Sequence, residues 1–371
     1  MSTGTWLVTG YPGFIARRLV AHVAESVPGA RIYALVHPGQ EEAALRAAAE
    51  LPGVRVIPGD VGNMHLGIKG EAWRALVDEV TDIFHLAALG ESGMSAAALQ
   101  RVNVDGTRNA LELAHSCGQL RRFTHFSTAY VSGDREGVIG EDELEMGQGF
   151  RNAYEETKYK AEQWVRRSSA RGLPVTVVRP SSVVGPGQGA EAHAFRGDYH
   201  LALLAVTSPL ASGVPLPGQG VAPFHVVPLE YVVKAAFALS RDPRAVGGTF
   251  HLVDPSPASA RRVHEQVARL AGRPIPRPQL PLPTRGGLSG LPLLELLPSS
   301  GRRTSGQVNR LSIYRCSQAL ELLAGAGIHC PPLESYLEVL VESVREHQRR
   351  KRAHADEPGE VEDPLDPTRK G

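Results

Sequence analysis

Cysteine is scarce: three residues in 371, at positions 117, 316 and 330. They stand far apart without metal-ligand spacing, and so read as reduced thiols of a cytosolic protein with no metal site. An excess of one charge is also missing. Lysine plus arginine number 40 against 39 acidic residues, which points to neither nucleic acid nor an anionic membrane. No uncharged apolar run reaches the length of a bilayer span, so no transmembrane segment is expected. No signal-peptide pattern precedes the strand-like run entered by Trp6, which agrees with a cytoplasmic location. No internal repeat suggests a solenoid. The length suits one large α/β domain or a domain with a cap.

What is present is an alternation of strand and helix patterns. Thr5–Thr9, Arg31–Val36, Val54–Pro58, Asp82–Leu86, Arg122–Phe126 and Pro174–Val178 read as strands. Helical stretches are expected near 14–27, 41–50, 95–116 and 154–170. The alternation predicts an α/β fold, a Rossmann-type doubly wound parallel sheet with a smaller C-terminal substrate-binding or cap region. The dinucleotide-binding core is expected over 1–185. A mixed region with cap segments and further core elements follows over 186–350, then a disordered tail over 351–371. Within the mixed region, helices are expected near 195–211, 228–240, 259–271 and 335–350, and a strand over Thr249–Val253. The proline- and leucine-rich stretch 274–298 reads as a cap, an apolar surface or a packed connector.

Several places carry chemistry. Gly10-Tyr11-Pro12-Gly13-Phe14-Ile15-Ala16 follows the first strand and opens a helix. Gly10 permits a tight turn and Gly13 lets backbone N–H groups approach a pyrophosphate at the helix N-terminus; a plain glycine turn is the competing reading. The second strand ends at His37, and no acid appears before Glu41. An acid there would bind the ribose hydroxyls of NAD. Its absence favours the phosphorylated cofactor, with His37 and Arg17 or Arg18 beside the phosphate or simply at the surface. Asp60, just past the third strand, would accept from an adenine amino group or else cap a turn. Ala87 and Ala88 are small enough for the backbone to lie close to a cofactor. Asn103, unfavourable in mid-helix, would hold a water or a backbone carbonyl behind the site, or serve structure alone. Thr128, past the carboxyl end of a central strand, would hydrogen-bond a substrate carbonyl and stabilise its oxyanion. The acids 141–143 between Thr128 and Tyr154 sit in a polar loop expected to cross the surface, capping structure rather than acting in catalysis.

Tyr154 and Lys158 are four residues apart, on one helical face. A phenol of pKa about 10 is a poor acid at neutral pH, and a neighbouring ammonium would lower that value. The pair would donate a proton to a carbonyl receiving a hydride. An aromatic against the core beside a solvated lysine is the alternative.

In combination, T-G-x-x-G-F-I, G-D-V, H-L-A-A, V-N-x-x-G-T, S-T-A-Y-V, Y-x-x-x-K and R-P-S-x-V-x-G resemble the extended short-chain dehydrogenase/reductase superfamily over Thr5–Val253. Pro58-Gly59-Asp60-Val61, with Leu66-Gly67-Ile68, Trp73 and Phe126-Ser127-Thr128-Ala129-Tyr130-Val131, is similar to the thioester reductase and fatty acyl-CoA reductase branch. That branch reduces acyl thioesters with a nicotinamide cofactor, usually NADPH. The resemblance implies Tyr154 as proton donor, Lys158 on the nicotinamide ribose and Thr128 on the substrate oxygen. Gly10, Pro12, Gly13, Phe14 and Ile15 would line the pyrophosphate turn, and Asp60 and Val61 would flank adenine. Leu86, Ala87 and Ala88 would pass beneath the cofactor, and Pro180 and Val183 would approach the carboxamide. Ala16 replaces the usual third glycine, and His37 stands where the branch often has arginine. NADP is favoured as cofactor, with NAD as the other choice. The substrate would arrive on coenzyme A or a separate carrier protein, or be a small ketone, aldehyde or ring. The chain itself would be a monomer or homodimer. A nucleotide-sugar epimerase or dehydratase uses the same pair, but Ala129 after Thr128 speaks against a dehydratase. A non-catalytic NADP-binding redox sensor would tend to lose the tyrosine or lysine.

Overall fold

A computed structural model describes residues 4–90, 94–185, 220–272 and 311–356. The helix expected at 195–211, the stretch 274–298 and the tail beyond residue 356 lie outside the described residues. Strands in chain order are β1 (Thr5–Thr9), β2 (Arg31–Val36), β3 (Val54–Pro58), β4 (Asp82–His85), β5 (Arg122–Phe126), β6 (Gly137–Ile139), β7 (Val175–Pro180), β8 (Ser182–Val184), β9 (Val226–Pro228), β10 (Thr249–Leu252) and β11 (Ser312–Tyr314). Seven of them form one sheet in the order β10-β7-β5-β4-β1-β2-β3. Every pairing in it is parallel. The chain winds outward from β1 through β2 and β3, then returns to place β4 on the other side of β1. Open α/β sheets bind ligands at such a reversal, outside the carboxyl ends of the strands.

Parallel strands must be apolar on both faces, because helices cover both. In β1, Trp6 and Val8 pack with Leu19 and Val23 of helix α1 (Phe14–Ser26). Leu7, one residue out of phase, belongs to the opposite layer with Leu111 and Ala114. The helices that follow α1 are α2 (Glu41–Ala48), α3 (Gly70–Glu79), α4 (Ala96–Leu99), α5 (Gly106–Ser116), α6 (Ala153–Ala170) and α7 (Leu229–Arg241). Of these, α3 has no counterpart among the expected elements, since it buries Leu76 alone and its apolar stripe is thin. A third apolar cluster joins Val184 and Val226 of β8 and β9 to α8 (Ala260–Leu270) and α10 (Leu337–Asp356) through Val263, Val267, Leu340 and Val344. Helix α10 continues past Arg350, where its end was expected, to Asp356.

The loop between Thr128 and Tyr154 does not simply cross the surface. Its strand β6 pairs in parallel with β11, Gly137 opposite Ser312. Glu141 is buried, and its carboxylate accepts from His251 N at 3.0 Å, Gln318 N at 2.8 Å and Ala319 N at 3.1 Å. The last two are orphan donors in the first turn of α9 (Ser317–Ala324). A loop can be buried when its polar groups find such partners, and here the acid caps structure as its position suggested.

Candidate functional site

The glycine turn is built by close approach. Gly10 has φ +83°, and a Cβ there would lie 2.8 Å from Ala87 N, inside the backbone that leaves β4. A Cβ on Gly13 would lie 2.7 Å from Gly10 O, to which Gly13 N already donates at 2.9 Å. Only hydrogen fits at both positions. Pro12 lies between them, and Phe14 and Ile15 begin α1, half-buried against the core. The turn is a cradle of backbone at a helix N-terminus, and it fits a dinucleotide pyrophosphate.

Thr9 ties this turn to β4. Its hydroxyl oxygen accepts from Leu86 N at 3.2 Å and Ala87 N at 3.1 Å, and lies 2.9 Å from His85 Nδ1. The hydroxyl proton therefore goes to Nδ1, so the ring donates from Nε2 to Thr107 Oγ1 at 3.0 Å. Thr107 in turn donates to the Asn103 carbonyl at 2.7 Å. Burial pushes His85 down to about 3, so it stays neutral.

Asn103 sits in a π-helical segment, Gln100–Asp105, between α4 and α5. Such bulges concentrate at functional sites. Its Oδ1 accepts from Leu89 N at 2.7 Å, and its amide donates to Leu89 O at 3.1 Å and Thr157 Oγ1 at 3.0 Å. The side chain thus holds the backbone just past exposed Ala88 to the helix of Tyr154 and Lys158. Of the readings open in the sequence, the structure places it on a backbone carbonyl.

At the turn after β3, Asp60 Oδ1 accepts from Gly62 N at 2.9 Å while its other oxygen pairs with Arg101. Asn109 donates to Val61 O at 2.7 Å and Asn63 O at 2.9 Å. Asp60 is therefore a turn aspartate, with Val61 buried beside it. Arg101 and Asn109 were missed by sequence reasoning. His37 is exposed at the end of β2, where Nδ1 accepts from Gly39 N at 3.3 Å. Arg18 is not available there: it holds Glu230 of α7 at 2.6 Å and Glu25 at 3.3 Å.

Tyr154 enters at the start of α6, whose N-cap is Asn152, with Oδ1 accepting from Glu155 N at 2.8 Å. The phenol stands near Thr128, whose hydroxyl eases its ionisation. Thr128 is buried past β5, its hydroxyl donating to Pro180 O at 3.4 Å. Val183, in β8, stands opposite Val227. Lys158 is buried one turn along α6, donating to Phe126 O at 2.6 Å. Thr128, Tyr154, Lys158 and Pro180 are thus brought together at the carboxyl edge. The electrostatics differ from expectation. Burial pushes the Tyr154 phenol up to about 12, and the Thr128 hydroxyl only partly offsets it. Burial also pulls Lys158 down to about 8, against the pull of Glu162. Desolvation outweighs charge attraction here.

The Male sterility protein family, an NAD-binding family, matches residues 8–236. Glycine betaine reductase ATRR of Emericella nidulans is 28% identical over 286 residues, covering 72% of this chain and 22% of that protein. L-2-aminoadipate reductase of Saccharomyces cerevisiae is 27% identical over 266 residues, covering 64% of this chain and 19% of that protein. The chain thus spans about a fifth of the length of these curated relatives. Among solved structures, the terminal R domain from the myxalamid PKS-NRPS biosynthetic pathway superposes with TM-score 0.78 at 26% identity, covering 94% of this chain and 92% of that one. The chain belongs to the Male sterility protein family, and is an NAD(P)-dependent enzyme of the extended short-chain dehydrogenase/reductase type, akin to thioester reductases.

Proposed function

We propose that the chain reduces an acyl thioester, carried by coenzyme A or a separate carrier protein, to an aldehyde with NADPH. The observation that carries this reading is the placing of Tyr154 near Thr128, with Lys158 one turn along, at the edge that also holds the Gly10–Gly13 turn. The bound nicotinamide supplies the hydride. Thr128 holds the thioester oxygen, and Tyr154 donates its proton to that oxygen as negative charge develops. The hemithioacetal then collapses to aldehyde and thiol. A phenol pushed up to about 12 keeps its proton at neutral pH, which suits an acid and therefore the direction of reduction. Lys158 binds the nicotinamide ribose and supplies positive charge beneath the site. NADPH is favoured over NADH because no acid stands between Val36 and Gln40. Asp60, already engaged with Gly62 N and Arg101, shapes the adenine end through its turn. The free thiols of Cys117, Cys316 and Cys330 support a cytoplasmic setting. Among the described residues no helix is long and apolar enough to cross a membrane.

The test is NADPH consumption against acyl-coenzyme A thioesters, aldehydes, ketones and, as the competing class, nucleotide sugars. Thioester turnover with aldehyde or alcohol product supports the reading; nucleotide-sugar turnover alone sinks it. Tyr154→Phe is expected to lower kcat by about 10²- to 10⁴-fold while NADPH affinity, followed by fluorescence, is retained.

A further inference from the structure

Beneath the pair of Tyr154 and Lys158 lies a cluster of buried charge that the proton transfer itself does not use. Glu162 continues their helical face by one more turn. Its side chain is 0% exposed, and that of its partner Arg179 is 1% exposed. Arg179 Nε donates to Glu162 Oε2 at 3.0 Å and Nη2 to Oε1 at 2.6 Å. Arg166 Nε donates to Oε1 at 3.0 Å, and Ser127 Oγ to Oε2 at 2.6 Å. Arg179 also donates to the carbonyls of Glu141 at 3.2 Å and Glu143 at 2.8 Å.

Three successive turns of α6 thus face three successive residues where β5 ends. Lys158 takes the carbonyl of Phe126, Glu162 takes the hydroxyl of Ser127, and Tyr154 stands near Thr128. Buried ion pairs contribute little net stability against apolar replacements of similar volume, so their presence calls for a role in fixing geometry. We propose that Glu162, clamped by Arg179, is a positioning residue that locks the Ser127–Thr128 strand end against the helix of Tyr154 and Lys158. This rests on the reading of Tyr154 as proton donor. The grip on Ser127 fixes the distance between the oxygen-holding hydroxyl and the phenol. The carboxylate also faces Lys158, whose other titratable neighbours are Tyr154 on α6, His85 on β4 and His125 on β5. Both histidines are held neutral by burial, so Glu162 is the anion that favours the charged amine.

The test compares Ser127→Ala, Ser127→Thr, Glu162→Gln and the double variant Glu162→Met with Arg179→Met in the full chain. Each is assayed with the acyl-coenzyme A thioester or aldehyde turned over fastest by the wild type, beside Tyr154→Phe. Ser127→Ala is expected to lower kcat by roughly 10- to 100-fold through misplacement, with NADPH affinity unchanged, and Ser127→Thr to restore it. Glu162→Gln shifts the alkaline limb of kcat/KM to lower pH, because Lys158 loses the charge that helps it keep its proton. The double variant, which removes both buried members of the pair and leaves Arg166 partly exposed to water, folds but stays slow. Wild-type kcat in Ser127→Ala and in the folded double variant, with Tyr154→Phe inactive, overturns the positioning role and leaves the proton donor standing. Activity retained in Tyr154→Phe overturns both. A slow Ser127→Ala rescued by threonine, with the limb moved in Glu162→Gln, bears the proposal out.

Discussion

At the glycine turn the protein works with backbone and empty space, whereas a short distance along the same edge it works with buried charge. Gly10 and Gly13 offer no side chain; their contribution is room for a pyrophosphate and N–H groups at the head of α1. Around Tyr154 the reverse holds, with Lys158, Glu162 and Arg179 all removed from water. A ligand that carries its own charge needs a fitted surface and dipoles. A reaction that creates charge needs groups already fixed where it appears. The two ends should therefore break differently.

The largest effect is expected from Arg179→Met, which removes the fully buried partner of the Glu162 carboxylate and leaves it only Arg166 and Ser127. It should cost about 3–5 kcal/mol, read as a fall in urea midpoint, and adding Glu162→Met should recover most of the loss. Equal midpoints for wild type and single variant would contradict the picture of a desolvated pair. Next comes acid. Burial holds His85 and His251 down to about 3 from an ordinary 6.5, and moves His125 the same way. Unfolding frees these rings to bind protons at their ordinary affinity. Stability is therefore full above pH 6.5 and declines as pH falls toward about 3. Glu162, held down to about 2 chiefly by Arg179 against its burial, adds a second loss as pH falls from 4.5 through about 2. Urea midpoints compared at about pH 7 and about pH 5 should differ; a flat profile refutes the assignment. The smallest stability effect is expected at the glycine turn. Gly10→Ala forces a side chain into a positive-φ position and should cost about 1–3 kcal/mol, with weaker NADPH binding by fluorescence titration. A cost as large as that of Arg179→Met would erase the contrast.

The same contrast decides what could be read from the sequence. β1, β2, β3 and β5 have the expected bounds; β1 and β2, buried on both faces, show it most directly as near-continuous apolar runs. The shared face of Tyr154 and Lys158 follows from helical period alone. Period also put Glu162 on that face, but its partner lies on another strand, and nothing local announces a salt bridge between them. Arg101 escaped for the same reason, since its carboxylate belongs to the turn after β3. β6 and β11 are short and find each other only across nearly half of the chain. The direction of the Tyr154 shift was legible only with burial known, for desolvation sets it and the Thr128 hydroxyl only partly offsets it.

The pairing of β6 with β11 has a consequence for engineering. Gly137 to Ile139 and Ser312 to Tyr314 are stitched residue by residue, and Glu141 seats the first turn of α9. A chimera that borrows the last third of a relative to change substrate preference must therefore import that relative's 137–143 segment as well. The two pieces form a single exchangeable cassette, although β7 and β10 of the main sheet are encoded between them.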